Sequence, residues 1–182
     1  MKSKILSISF ILFVIAMAMT ACKEKAIYKT FQTSYAFKMT VPANALISSP
    51  LFPLSFDEES NAQSAYAIND TRKDLVEEVY MKSFLIEILS PQGEDLSFVN
   101  SAHFYINADA EPEMLIAFKD PVPDDIGGDL SLELGAVNLA PYIRKDPFEI
   151  RSKIVTDENR TQDIVLRATI QFDVTAKLAT LN

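Results

Sequence analysis

The chain contains no Trp, one Cys (Cys22), one His (His103) and four Gly among 182 residues. Each shortage removes a class of explanation. A single Cys leaves no internal disulfide to staple the fold, and one Cys with one His cannot assemble the usual zinc site. Positive charge is also short, with 17 Lys and Arg against 25 Asp and Glu and a formal charge of −8. That balance argues against nucleic acid as a partner, because phosphate backbones are bound by clustered Lys and Arg that release counterions. What is present is ordinary: 48% hydrophobic and 23% charged residues, close to the average of folded globular proteins. The chain is long enough for one domain, or two small ones, and it can build a core.

The N-terminal residues are an address. Lys2 and Lys4 precede an apolar run of about fifteen residues from Ile5 to Met19, which Thr20, Ala21, Cys22 and then Lys23-Glu24-Lys25 break off. This is the length of a signal-peptide core, and short of the ~20 apolar residues that a spanning helix needs. Met19-Thr20-Ala21-Cys22 resembles the lipobox of bacterial lipoproteins, in which the Cys is acylated and becomes the first mature residue; Met19 stands where Leu is usual. The resemblance implies lipidation at Cys22 and a signal peptide over residues 1–21; the alternation that follows in the chain adds a short tether over residues 22–27 and a β-sandwich domain over residues 28–182. The partner it implies is a membrane, held through the lipid. Two acyl chains anchor stably, because each buried methylene contributes about 0.8 kcal/mol. Removing residues 1–21, which hold two Lys and no acid, takes the formal charge to −10. Lys23 rather than Asp follows the Cys, which favours the outer membrane, facing the periplasm or the cell surface.

Beyond the address the chain alternates with the period of strands. Tyr35, Phe37, Met39 and Val41 fall on one face of a strand expected to begin near Tyr28. Pro42, Pro50 and Pro53 mark an irregular excursion whose exposed tip is expected at residues 57–64, and Asp70 is placed to cap a short helix from Arg72 to Glu78. A strand from Val79 to Leu89 then runs into Ser90-Pro91-Gln92-Gly93, whose residue order suits a type I turn. Ala102–Ala108 and Glu113–Lys119 predict a hairpin. Leu130–Leu134 alternates strictly, Ala136–Ile143 suits one or two helical turns, and Phe148–Thr156 and Ile164–Ala176 predict two more strands. The expected fold is a single antiparallel β-sandwich of about seven or eight strands, immunoglobulin-like, with one or two short helices.

No constellation of residues points to catalysis. Any base-assisted nucleophile has only His103 to call on, and it sits in mid-strand with no G-x-S-x-G elbow in the chain. Glu77-Glu78, Glu111 with Glu113, and Asp124-Asp125 are carboxylate pairs of the kind that acid-base chemistry uses, and of the kind any acidic chain contains. The segment from Asp120 to Asp129 places Asp120, Asp124, Asp125 and Asp129 on a loop with two Gly. Those are hard oxygen ligands of a type calcium accepts, although their spacing differs from an EF-hand. Tyr66, Tyr105 and Tyr142 are candidates for rings on a glycan-binding surface, without the Trp that sugar platforms usually employ. Asn69-Asp70-Thr71 and Asn159-Arg160-Thr161 fit the glycosylation sequon, a coincidence behind a bacterial lipobox.

Ser83 to Gly93, the strand with Phe104-Tyr105-Ile106, and Glu113-Met114-Leu115-Ile116-Ala117 together are similar to β-rich lipoproteins common in Bacteroidetes-type bacteria. The similarity implies fold and location over most of residues 28–176 and carries no functional residue with it. The expectation is a membrane-anchored envelope lipoprotein, not an enzyme and without a cofactor, whose sandwich serves protein interaction or assembly. A glycan- or calcium-binding surface module is the alternative.

Overall fold

The structure is a computed structural model and describes residues 26–44, 52–54, 62–145, 148–158 and 160–178. The apolar run, Cys22, residues 57–61 of the expected tip and Asn159 lie outside the described residues.

Strand β1, Tyr28–Val41, begins where the alternation places it. Its alternate residues Thr33, Tyr35, Phe37, Met39 and Val41 are buried, and it pairs along its whole length with β9, Ile164–Lys177. At one point of this ladder a large side chain faces a small one: Phe37 is partnered with Ala168, which leaves room for the ring beneath the sheet. β9 lies between β1 and β3, Val76–Ser90, and β6, Asp129–Ser131, pairs with the far side of β3. The second sheet runs β2 (Phe52–Leu54), β8 (Phe148–Thr156), β4 (Val99–Ala108), β5 (Glu111–Lys119) and β7 (Glu133–Leu134). All pairings are antiparallel.

The all-β sandwich is therefore the architecture found. Its pairs are nested around the central hairpin: β4 with β5, β3 with β6, β2 with β8, and β1 with β9. That wrapped order is the jelly roll, two Greek keys folded over one another, and it replaces the immunoglobulin-like order expected. The difference lies in which strands neighbour, something that in-out alternation does not encode.

Between the sheets, Phe37 meets Phe84 edge-on at 6.3 Å, and Phe84 meets Phe104 of the opposite sheet at 4.4 Å. Phe104 is fully buried. This three-ring stack joins the two layers at their centre.

Three local expectations change. The helix expected after Asp70 is a single 3-10 turn, Lys73–Leu75, because Val76 pairs with Ala176 and β3 takes over the remaining residues. A helix does form earlier, α1, Ala62–Ile68, within part of the expected exposed tip; its Tyr66 is buried against Phe31 at 5.8 Å. Ser90 to Gly93 turn the chain as expected, with the Ser90–Pro91 peptide cis and Gly93 at φ 86. The alternating run Leu130–Leu134 is two short strands in different sheets: Leu130 is partnered with Ile86 and Leu134 with Ala117.

The expected hairpin forms, with Ala110 at φ 62 between β4 and β5. The helical turn expected within Ala136–Ile143 is α2, Ala140–Ile143. Asn138 holds it against the sheet: its Oδ1 accepts from the backbone N–H of Val79 and of Ala140, both at 3.0 Å, and its Nδ2 donates to the Glu77 carbonyl at 3.3 Å. Asn138→Ala leaves these backbone groups unpartnered in a partly buried setting, at an expected loss of about 1–3 kcal/mol. Chemical denaturation of the two proteins measures it, and an unchanged midpoint counts against the clamp.

Candidate functional site

His103 stands on the outer face of the five-stranded sheet. Its ring stacks on Phe118 at 6.2 Å with planes 15° apart, and its Nε2 is 3.6 Å from Oδ2 of exposed Asp120. Its ladder partners are Phe118 on β5 and Lys153 on β8. Neither offers the hydroxyl or thiol that a base-assisted nucleophile requires. The geometry is that of a sheet-face histidine with a carboxylate neighbour.

The carboxylate pairs are dispersed or already engaged. Glu77 is held in an ion pair with Lys177 at 2.5 Å; the hydrogen bond and charge of that ammonium keep its carboxyl below the usual Glu range, and Glu77 in turn raises Lys177. Glu113 lies 3.4 Å from Arg151, which also meets Glu149 at 3.1 Å. A carboxylate stabilised in its ionised form is a poor proton donor near neutral pH. Asp124 and Asp125 are exposed.

The Asp120–Asp129 loop leaves β5 in one sheet and enters β6 in the other, so its ends sit on opposite layers. Buried Val122 pins it through an N–H donated to the Asn100 carbonyl at 2.8 Å. Asp120 turns back toward His103. Among the described residues no three His, Cys, Asp or Glu side chains come together as a metal site, so Asp120, Asp124, Asp125 and Asp129 do not form the converging cage that calcium needs.

Two of the three tyrosines expected on a glycan surface are in the core. Tyr66 and Tyr142 are buried, and the Tyr142 hydroxyl donates to the Pro112 carbonyl at 2.7 Å. Proximity to loops suggested exposure, but both rings close an end of the sandwich. Tyr105 alone remains half-buried on the outer face, opposite Leu115 on β5 and Arg151 on β8. Burial raises the phenol pKa of Tyr66, against a smaller lowering by its hydrogen bond with Tyr35, and raises that of Tyr142 with help from Glu111. Since the neutral phenol is favoured in the fold, stability falls as pH rises past the ordinary Tyr range. In an alkaline titration followed by phenolate absorbance, Tyr66→Phe and Tyr142→Phe are each expected to remove late-titrating signal; loss of early signal instead contradicts this placement.

Asn69 uses its side-chain amide to donate to the Ala65 carbonyl at 2.8 Å. The second sequon falls on Asn159, outside the described residues.

What the sequence did not disclose is a charge polarity along the strands. At the end of the sandwich away from Tyr28, the loops 90–98, 120–129 and 157–163 hold nine Asp and Glu and one base, Arg160. Arg160 lies over the Phe98 ring at 4.7 Å and reaches Glu94 at 3.2 Å, Glu158 at 3.7 Å and Asp95 at 3.9 Å. At the end where β1 begins, residues 26–29, 68–77, 109–111, 140–145 and 177–178 hold six bases and five acids, with Glu77 paired to Lys177. The separate loops carry no linear signal of this; only the nested topology sorts them to opposite ends.

No family model matches the chain, and no curated protein matches it. Among solved structures the chain is similar to the capsid protein of a BFDV 60-mer, with 10% identity, a TM-score of 0.38 and cover of 86% of this chain and 97% of that one. It is also similar to Turnip Yellow Mosaic Virus, at 9% identity and TM-score 0.31 over 85% and 98% of the respective chains, and to Desmodium yellow mottle tymovirus, at 13% and 0.32 over 85% and 92%.

Proposed function

We propose that the chain is a lipid-anchored protein of the bacterial cell envelope, sorted to the outer membrane, whose jelly-roll domain works by protein contact or assembly and not by catalysis. The observation that carries the reading is Cys22, the chain's one Cys, placed directly after Thr20-Ala21 at the end of an apolar run led by Lys2 and Lys4. The start of β1 at Tyr28 supports it from the other side. Five residues separate Cys22 from the first strand, at most about 18 Å of chain at ~3.6 Å per residue, so the domain is held against its membrane. The contact role is supported by the spread of the candidate catalytic groups: His103 faces Asp120, Glu77 is engaged with Lys177, and Glu113 with Arg151.

The test is metabolic labelling with a palmitate analogue in a bacterial host that processes lipoproteins. Label is expected on the wild-type chain and not on Cys22→Ser. Unlabelled wild-type protein, or label that persists without Cys22, overturns the assignment.

A further inference from the structure

Large hydrophobic side chains left exposed are not spread evenly over the molecule. Ile27, Tyr28 and Ile68 are exposed by 66%, 53% and 76%, and all three sit at the end where the chain enters the fold. Tyr28 is the ladder partner of Lys177, and Thr71, three residues after Ile68, donates its hydroxyl to the Lys177 carbonyl at 2.6 Å. These contacts bring α1's exit and the start of β1 to one end. Elsewhere among the described residues, the exposed large hydrophobics are Tyr80 and Leu115 on the outer faces of the two sheets.

The same end is nearly balanced in charge, where the far end is strongly acidic. Lys29 and Arg144 are exposed there, and Lys73 donates to the Lys145 carbonyl at 2.6 Å while lying 5.5 Å from the centre of the Phe148 ring. The acidic loops are a full strand length away, ~45 Å at ~3.3 Å per residue, many times the ~8 Å screening length of physiological salt. An anionic surface touching the near end therefore meets a nearly balanced six bases and five acids and not the nine acids of the far end. Apolar side chains beside basic ones suit the boundary between lipid headgroups and acyl chains.

We infer that this end of the sandwich is a membrane-contacting face, in which Ile27, Tyr28 and Ile68 enter the headgroup layer of an anionic bilayer and Lys29 and Arg144 meet its phosphates. The inference rests on the lipid-anchor reading, which brings residues 23–25 and then this face to the bilayer. The domain then stands on this end and presents the acidic loops outward.

The lack of Trp supplies the probe. Tyr28→Trp and Ile68→Trp at the near end, and Glu158→Trp at the far end, each place a single fluorophore at an exposed position of the full-length chain. The proteins, processed in a bacterial host, are reconstituted in vesicles of phosphatidylethanolamine and phosphatidylglycerol, with and without brominated acyl chains. The near-end Trp residues are expected to emit further to the blue and to lose most of their emission to bromine, with Glu158→Trp unaffected. If the wild-type chain floats with vesicles but near-end and far-end Trp respond alike, the anchor stands and the contacting face is overturned. If the wild-type chain does not float, the anchor reading fails and takes this inference with it.

Discussion

Replacing Cys22 with Ala is expected to move the protein from the membrane fraction to the soluble fraction of the envelope, with its fold unchanged. Two acyl chains at about 0.8 kcal/mol per buried methylene hold a lipoprotein in its bilayer for its lifetime, whereas a single chain gives only marginal, reversible attachment. Without the thiol there is no site for either. The contact of Ile27, Tyr28 and Ile68 is then left alone, and three side chains do not replace an anchor. Among the described residues no helix is long and apolar enough to cross a membrane, so these residues provide no second helical attachment. Density-gradient fractionation against wild type checks the outcome, and a variant that remains wholly with the membranes contradicts it. Circular dichroism of the released variant should retain the sheet signal, since Cys22 precedes the first strand by five residues.

The second large effect lies in the core. Phe104→Ala is expected to cost about 3–5 kcal/mol, the range for removing a buried aromatic side chain and leaving its cavity. Phe104 is fully buried and sits 4.4 Å from Phe84, which meets Phe37 in turn, so the lost ring is a central link between the sheets. Against a total stability of about 5–15 kcal/mol for a domain, that is a large share. Leu115→Ala, on the outer face at 38% exposure, serves as the comparison and should cost far less. Urea unfolding separates the two. A Phe104→Ala protein as stable as Leu115→Ala would show that the sheets are held together elsewhere.

Much of the fold was legible in the sequence because burial on one face imposes a period of two. β1 and β9 announce themselves that way, and the β4–β5 hairpin adds a polar four-residue break. Sheet membership was not legible. Leu130, Leu132 and Leu134 all point to the interior, and Leu130 and Leu134 do so from opposite sheets; alternation records inside and outside but not which layer. The helix expected at Arg72–Glu78 lost to the pairing of Val76 with Ala176, a tertiary contact that local propensity does not contain. α1 passed unnoticed because Ala62–Ile68 carries no acid in its first turn and no base in its last.

The site was less legible, for the same kind of reason. Tyr66 and Tyr142 lie near loops in the chain yet under them in space, and the Asp120–Asp129 loop is dense in carboxylates along the chain yet spans two layers. The contrast between a nearly balanced near end and an acidic far end emerges only when β1, β3, β5 and β8 are known to run toward the same end.

The most direct test of the central claim is mass spectrometry of the intact protein recovered from bacterial membranes. The account predicts an N-terminus at Cys22 whose sulfur carries a diacylglyceryl group, with the amine either free or acylated. A mature chain beginning elsewhere, or Cys22 present as an unmodified thiol, contradicts it.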